Sequence, residues 1–411
     1  MAQAVNVDVS VVEPYQFQQF GIHGDHEHEE ARLAREAHRW GSTPIGRIFL
    51  THADCSQLLK DPRFRDYSLD NVRAQGVTSG PFFDWFSRIL ICQDELSHRR
   101  LRGLVQRAFH ARELTYLHES ARRHAADLCT AALGDGTADA DLMAEIAHWL
   151  PIRVICDMLG IPVADSGKFN MWSLTLSAKA WSMSITPEVK QELDDCITGL
   201  REYVVDLIDK RRKDPKADLI SALVGVRDDG GDRLTEEEMV ALVANIFVGS
   251  HDTTKLLCGN SVLRLLQHRE QWDRLCADPG LAESATEEML RFEPSIAFLV
   301  RVANEAFSWN GLDFARDELI GLHILAANRD PLVFPDPERL DIGPRERRHL
   351  TFGGGPHFCV GAGLARLVAG DFLRTLAQSY PSLRLRIDPA DVAWTNVGFS
   401  RGPQVLPVRA G

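Results

Sequence analysis

The sequence predicts a mainly α-helical fold with small β-sheets at its edges. Apolar residues recur at three- and four-residue spacing through most of the 411-residue chain. Strand-like segments are few and short, and no repeat or Pro/Gly/Ser-rich linker divides the chain. We therefore expect a single domain over residues 1–411, in which the N-terminal arm, 1–40, has the least defined pattern.

Helical periodicity is strongest in five segments, each of which is expected to form a helix: 101–109, 121–133, 139–159, 189–213 and 235–268. The last begins with Thr235 followed by three glutamates, which is a typical helix start. Shorter helices are expected at 284–292 and 364–372. Expected strands are 47–51, 307–309, 319–322 and 383–387, and a Pro/Arg/Asp-rich irregular meander is expected at 330–351.

The composition argues against nucleic-acid binding and membrane insertion. The formal net charge is -12, whereas phosphate binding requires a basic face. The longest apolar stretch, 239–266, is interrupted by six residues of small or polar character, and the N-terminus lacks the pattern of a signal peptide. We expect a cytoplasmic monomer that binds neither nucleic acid nor membrane.

One of the eight cysteines stands in unusual surroundings. No CxxC pair occurs, so seven of them are expected to be reduced, buried thiols. Cys359 lies in a glycine-rich loop, 352–363, directly before a predicted helix, where free N–H groups and the helix dipole favour a thiolate. The alternatives are an ordinary turn with one more buried cysteine, and a phosphate loop, whose characteristic lysine is missing.

This loop resembles the cysteine loop of the cytochrome P450 family, in its bacterial soluble branch. The pattern Phe-Gly-x-Gly-x-His-x-Cys-x-Gly is matched from Phe352 to Gly361. The resemblance extends over about 46–407 and implies the cytochrome P450 fold, with a long distal helix crossing the haem. It implies haem b as cofactor, Cys359 as the ligand of its iron, and Phe352, Gly353, His357 and Gly361 as cofactor-binding residues.

Glu288 and Arg291 resemble the Glu-x-x-Arg pair of that family. Residues three apart share a helix face and can form a salt bridge, which on a surface contributes little. In the family the pair is buried and binds an arginine of the meander, for which Arg339 is the matching candidate. The resemblance therefore implies a structural role for all three residues.

The polar segment 249–254 resembles the family's oxygen-activating motif in the distal helix. Polar groups beside a glycine weaken the helical ladder and can bend it. The resemblance implies that Asp252 and Thr253 are catalytic and deliver protons during oxygen activation. Ser250 departs from the motif, which usually has a second glycine there. His251 is expected to face away from the haem and is given no role.

Haem carries two propionates, which require cationic partners. Four residues stand at the family's positions for these contacts: His98, Arg102, Arg301 and His357. For each alone, a solvated surface charge is the simpler interpretation. Together with the haem requirement, we expect all four to bind the cofactor.

Four segments are expected to cover the distal face: 82–89, 172–181, 295–300 and 397–399. Apolar lining is typical of ligand pockets, and the aromatic content of the first segment suggests a bulky or aromatic substrate, although it could simply cover the core. The candidate pocket residues are Phe82, Phe83, Trp85, Phe86, Ala244, Val248, Ile296, Phe298 and Phe399.

The function implied by the resemblance is that of a haem-thiolate monooxygenase that uses O2 to oxidise a small to medium apolar molecule, such as a natural-product intermediate. The chain has no flavin or nucleotide domain, so a ferredoxin and its reductase are the expected electron donors. Competing interpretations are an oxidative coupling enzyme, a peroxygenase or isomerase without net oxygen insertion, and a haem-binding sensor.

Two further features have ordinary explanations. His23, His26 and His28 stand among acids and are expected to form a solvated helix start rather than a metal site. The charge run Arg345, Arg347, Arg348 and His349 is either a solvated face or a docking surface for an acidic electron-transfer partner.

Overall fold

The computed structural model describes residues 15–16, 26–43, 46–110, 115–136, 138–182, 184–227, 230–344, 348–395 and 399–411. Helices dominate, as predicted. They are α1 His26–Ala37, α2 His52–Leu58, α3 Ser68–Ala74, α4 Pro81–Phe86, α5 Glu95–His110, α6 Thr115–Leu133, α7 Trp149–Leu159, α8 Ser166–Lys179, α9 Pro187–Lys213, α10 Leu219–Gly225, α11 Glu236–Gln267, α12 Arg269–Ala277, α13 Ala282–Phe292, α14 Ile324–Ala327 and α15 Ala362–Ser379.

The strands form small sheets at the edge of the helical body. They are β1 Tyr15–Gln16, β2 Trp40–Thr43, β3 Gly46–Phe49, β4 Phe64–Asp66, β5 Asp139–Asp141, β6 Phe298–Ala303, β7 Phe307–Trp309, β8 Leu312–Phe314, β9 Leu319–His323, β10 Arg384–Leu385 and β11 Pro407–Arg409. The largest sheet has the order β1-β2-β3-β9-β6-β4, beside sheets of order β10-β11-β5 and β7-β8. The mixed sheet thus joins strands far apart in the chain.

Helix α11 runs for 32 residues through the hydrophobic core. Its start is fixed by a capping box in which Thr235 and Glu238 each bond the other's backbone N–H. The predicted helix start at Thr235 is therefore confirmed. Most of its residues are buried on all sides, which explains why its hydrophobic pattern is continuous rather than striped.

The segment predicted as one helix over 139–159 is divided in the structure. Residues Asp139–Asp141 form strand β5, which pairs with Pro407–Arg409 near the C-terminus. A short π-helix, Met143–Ala147, then leads into α7. Long-range strand pairing overrides the helical periodicity here, and a local pattern does not contain that information.

A buried ionic cluster ties the first helix to the rest of the fold. Glu293, at the end of α13, is bonded by Arg264 of α11, by Arg401 and by His28 of α1. Arg401 also pairs with Glu27 at 2.8 Å. Burial raises the pKa of Glu293, but the two arginines and His28 outweigh it and hold that pKa well below its usual range.

The expectation of a solvated start for the first helix is wrong for His28. Its side chain is only 13% exposed, because the Glu293 carboxylate lies 2.9 Å from its Nε2 atom. His23 lies outside the described residues. Within those residues, no group of three or more metal-ligating side chains is found.

The cysteines behave largely as predicted. Five are buried, Cys92 and Cys276 are partly buried, and all eight are free of disulfide bonds. Cys359 alone is exposed. Separately, none of the helices in the described ranges combines the length and apolar character that crossing a bilayer requires.

Candidate active site

The Cys359 loop is closed by backbone hydrogen bonds and shaped by two glycines. The Cys359 N–H donates to the carbonyl of Phe352 at 2.9 Å. Gly353 and Gly355 have φ angles of 70° and 63°, which favour glycine, as predicted. A Cβ on Gly355 would lie 3.1 Å from the carbonyl oxygen of Leu59, so the loop packs against the end of α2 with no room for a side chain.

The Cys359 thiol experiences opposing electrostatic effects. Burial among protein atoms raises its pKa, while the Gly361 N–H and the cations Arg102 and Arg366 act to lower it. Burial prevails and the pKa of the thiol lies above its usual value, so the protein alone does not produce the predicted preference for a thiolate. Coordination to a metal ion deprotonates a thiol outright, so these three groups would stabilise a thiolate that the metal creates.

The four predicted propionate ligands lie together in what we call the cationic basin, defined by His98, Arg102, Arg301 and His357. The rings of His98 and His357 are 4.4 Å apart. Burial, together with the positive fields of His98, Arg301 and Arg102, lowers the pKa of His357 to about 4. These side chains come from α5, β6 and the cysteine loop, which are distant in sequence.

The basin contains polar groups that lack protein partners. The Nε2 atom of His98 is buried without a hydrogen bond. Arg102 forms neither a hydrogen bond nor an ion pair within the described ranges, and burial lowers its pKa. A buried polar atom without a partner costs stability, and a partly buried guanidinium without a carboxylate is available to a ligand. An accessible cysteine beside these cations fits a cofactor that presents a metal ion and carboxylates, as haem does.

Helix α11 has an opening at Gly249, near its middle. Gly249 is exposed although most of the helix is buried, and a Cβ added there would meet nothing within 4 Å. The Thr253 hydroxyl donates to the Gly249 carbonyl at 2.8 Å, and Asp252 pairs with Lys255 at 3.3 Å. Asp252 and Thr253 thus lie at this opening.

The opening lies on the side of the cysteine loop. A Cβ added to Gly361 would be 3.9 Å from both the Cys359 Sγ and the Ser250 Oγ. Ser250, which replaces the usual glycine, therefore extends toward the start of α15. The predicted catalytic pair and the predicted iron ligand are brought to the same region of the molecule.

His251 is directed elsewhere, in agreement with its lack of an assigned role. Its Nε2–H donates to the carbonyl of His148 at 3.2 Å, and its Nδ1 accepts from the Ser173 hydroxyl at 2.5 Å. Burial lowers its pKa to about 3, so the ring is neutral at pH 7. His251 links α11 to α8 and to the start of α7.

Glu288 and Arg291 form a buried, bidentate ion pair with two contacts of 2.8 Å. Arg291 also donates to the carbonyls of Pro337 at 2.9 Å and Arg339 at 3.4 Å in the meander. The expectation that the Arg339 side chain joins this network is not met, because that side chain is exposed and only its carbonyl takes part. The carbonyls of the meander fill the positions around Arg291.

The aromatic residues of α4 form a packed cluster. Phe82, Trp85 and Phe86 are buried, with ring centroids 5.4–6.1 Å apart. Phe83 is partly buried, and the Arg73 guanidinium lies 6.0 Å from its ring centroid. This packing resembles core structure, and a role of these rings in binding substrate stays a prediction.

The other candidate pocket residues fall into two places. Ala244 and Val248 are buried on α11, on the N-terminal side of the opening. Ile296 and Phe399 belong to two paired segments, in which the Ala297 N–H donates to the Phe399 carbonyl at 3.0 Å. Phe298 packs on the ring of His323, with centroids 4.2 Å apart.

Residues near the site that the sequence did not reveal include Arg366, Leu299 and Asp66. Arg366 lies in the second turn of α15, which follows the cysteine loop, and its guanidinium lies 4.5 Å from the centroid of the Phe352 ring. Leu299 approaches Gly353, and Asp66 pairs with Arg301. Only the fold brings these last two residues to the site.

The charge run before the cysteine loop is only partly described. Arg345 and Arg347 lie outside the described residues. Arg348 is exposed, and His349 is bonded to Glu287 at 3.2 Å. His349 is therefore part of the fold rather than a free surface charge.

Comparison with known proteins identifies similar chains over nearly the full length. A family model described as "Cytochrome P450" matches residues 280–389. The chain is 33% identical over 394 residues to the polyketide biosynthesis cytochrome P450 PksS of Bacillus subtilis, covering 95% of each chain. It is 37% identical to the mycinamicin IV hydroxylase/epoxidase of Micromonospora griseorubida, covering 78% of this chain and 79% of that one.

Solved structures show the same likeness in three dimensions. The crystal structure of CalO2 superposes with a TM-score of 0.86 at 28% identity, covering 94% of this chain and 96% of that one. The structure of PksS from Bacillus subtilis superposes with a TM-score of 0.82 at 31% identity, covering 94% and 97%.

Proposed function

The chain belongs to the cytochrome P450 family, and on this premise we propose that it is a haem b monooxygenase that oxidises a small to medium apolar, natural-product-like molecule. Its membership makes it a haem-iron monooxygenase that uses O2 and external redox partners. The observation that supports the proposed site best is the convergence of Cys359, the cationic basin and the opening at Gly249.

The roles of the residues follow from their surroundings. Cys359 binds the iron, with the Gly361 N–H and Arg102 stabilising its negative charge. Arg102, Arg301, His98 and His357 hold the propionates. When bound, haem supplies the electron-transfer and oxygen-activating chemistry, and its thiolate ligand favours cleavage of the O–O bond.

Asp252 and Thr253 are proposed to move protons into the opening of α11. The Thr253 hydroxyl donates its hydrogen to the Gly249 carbonyl. Its oxygen can therefore accept a hydrogen bond from a donor in the opening. Asp252 is partly exposed and paired with Lys255, which connects it to solvent. Proton transfer by such positioned groups is general acid catalysis.

The substrate class rests on the relatives and on the apolar residues near the opening. Several similar proteins carry names from natural-product pathways, among them the polyketide and mycinamicin enzymes. Ala244 and Val248 provide apolar surface beside the opening. We propose a ferredoxin with its reductase as electron donor, and a monomeric enzyme.

Turnover with ¹⁸O2 tests this proposal. The enzyme, a ferredoxin, its reductase and a bound apolar substrate should give a product that carries one ¹⁸O atom. A coupled or rearranged product without the label would instead favour oxidative coupling or isomerisation.

The Thr253→Ala variant should consume several-fold more electrons per product, whereas Thr254→Ala, its buried neighbour, should stay coupled. Unchanged coupling in Thr253→Ala would remove Thr253 from proton delivery.

A further inference from the structure

Asp66 forms an ion pair with Arg301, one of the residues expected to bind a cofactor carboxylate. The two residues lie directly opposite each other in the antiparallel pair β4–β6, and the Asp66 Oδ2 atom is 3.1 Å from Arg301 Nη1. The other Asp66 oxygen accepts from the Ser68 N–H at 2.8 Å. With side chains 10% and 6% exposed, the pair is fixed by strand register and by burial.

Arg301 still has donors to offer. Its Nη1 atom bonds Asp66 and the carbonyl of Val300, while its Nε and Nη2 atoms have no partner in the described ranges. Neither nitrogen is a buried atom that lacks a hydrogen-bond partner, so both are accessible to solvent or to a ligand. A guanidinium can bind two carboxylates along different edges, so Asp66 and a propionate can share Arg301.

The balance of charge in the basin depends on Asp66. Arg102 and Arg301 supply two positive charges, and Asp66 removes one, which leaves a single positive charge to meet two propionates. Among the described residues, Asp66 is the one carboxylate paired with a member of the basin.

We infer that Asp66 is a tuning residue that weakens the hold of Arg301 on a haem propionate and keeps the reduction potential of the iron low. This inference rests on the proposed placement of the propionates in the basin. A fixed carboxylate on the same guanidinium repels the propionate in a poorly screened site. It also opposes the addition of an electron to the iron, because the reduced state carries one more negative charge.

The Asp66→Asn variant of the holoenzyme isolates this charge. The amide oxygen can still accept from Arg301, so that contact is kept while the charge is lost, and only the Ser68 N–H loses its acceptor. We expect transfer of haem to apomyoglobin to slow by about 5- to 10-fold and the midpoint potential to rise. Asp66→Glu should restore both values toward the wild type. Asp70→Asn, in the more exposed pair with Arg65, is the matched control and should change neither.

The direction of the change in haem loss distinguishes a tuning role of Asp66 from a structural role. A merely structural role predicts faster haem loss from Asp66→Asn, and that result, or values equal to those of Asp70→Asn, would overturn the inference. If Asp66→Asn does not fold, Asp66→Ala gives the same comparison of potentials. A wild-type protein without thiolate-ligated haem would overturn the proposed function and this inference together; a normal wild-type spectrum with unchanged variants overturns only the inference.

Discussion

Two clusters of charged side chains in this molecule differ in whether carboxylates of the protein complete them. Around Glu293, two arginines and a histidine surround one carboxylate, and Arg401 has Glu27 as a second partner. In the cationic basin, Arg102 has no carboxylate partner in the described ranges. The first cluster links helices through paired charges, whereas the second leaves a partly buried guanidinium that a ligand's carboxylate can bind.

The difference distinguishes structural from ligand-binding charge. A completed cluster should affect stability when it is broken and leave cofactor binding alone. An incomplete cluster should affect the cofactor and leave the fold intact.

The largest effect is expected at Cys359. Replacement Cys359→Ser should abolish the spectrum of thiolate-ligated haem and the monooxygenase activity, because serine does not provide a soft anionic ligand. The optical spectrum of the reduced CO complex measures this loss. Cys276→Ser, at a partly buried cysteine in α12, is the control and should keep both properties. Activity in Cys359→Ser would disprove the assignment of the ligand.

Breaking the completed cluster should have the next largest effect. Glu293→Gln leaves Arg264 and Arg401 buried without their shared carboxylate, and loss of one partner from a buried pair costs about 3–5 kcal/mol of unfolding free energy. Urea unfolding followed by circular dichroism measures the change. Glu29→Gln, in an exposed pair with Arg32, should leave stability unchanged. A stable Glu293→Gln protein would show that the cluster does not hold α1 in place.

In the incomplete cluster, Arg102→Gln should affect the cofactor instead. A charge-assisted hydrogen bond contributes about 1.5–3 kcal/mol, so haem loss should accelerate by about 10- to 100-fold. The rate of haem transfer to apomyoglobin measures this. Arg99→Gln, 73% exposed on the same helix, is the control. Equal rates for the two variants would contradict the role of Arg102 in the basin.

A smaller effect is expected from Glu287 on the free energy of unfolding at acid pH. Burial raises the pKa of Glu287, but bonds from His349 and Arg366 outweigh it and lower that pKa to about 2. Because the folded state depresses this pKa, the stabilisation is complete above the unfolded value of about 4.5 and is lost as pH falls toward 2. Glu287→Gln should therefore flatten the decline in stability over this range, because the amide does not titrate.

Unfolding midpoints measured between pH 2 and 5 test this expectation. Glu283→Gln, exposed on the same helix, should retain the wild-type slope. If Glu287→Gln also retains it, the carboxylate does not contribute to acid stability in the way its contacts indicate.

The sequence predicted those features that are contiguous or periodic. The Cys359 loop, the capping box at Thr235 and the Glu288–Arg291 pair each lie within about ten residues, so their chemistry is visible in one segment. The mainly helical fold followed from periodicity. The basin was recognised only because the family resemblance supplied positions that are far apart in the chain.

Features that depend on tertiary pairing were missed. Strand β5 forms because Asp139–Asp141 meets Pro407–Arg409, and Asp66 meets Arg301 through strand register. Arg339 was expected to contribute its side chain, but Arg291 is satisfied by backbone carbonyls instead. No local pattern of residue types encodes which distant backbone will pass beside a given side chain.

The other assignments depend on Cys359 binding haem iron as a thiolate, with the propionates of the cofactor bound in the cationic basin. The most direct measurement is the difference spectrum of the purified protein, reduced under carbon monoxide. Thiolate ligation predicts a Soret band at the long wavelength given by a thiolate-ligated ferrous–CO complex. Freshly folded protein without haem, or with a band typical of histidine ligation, would contradict it.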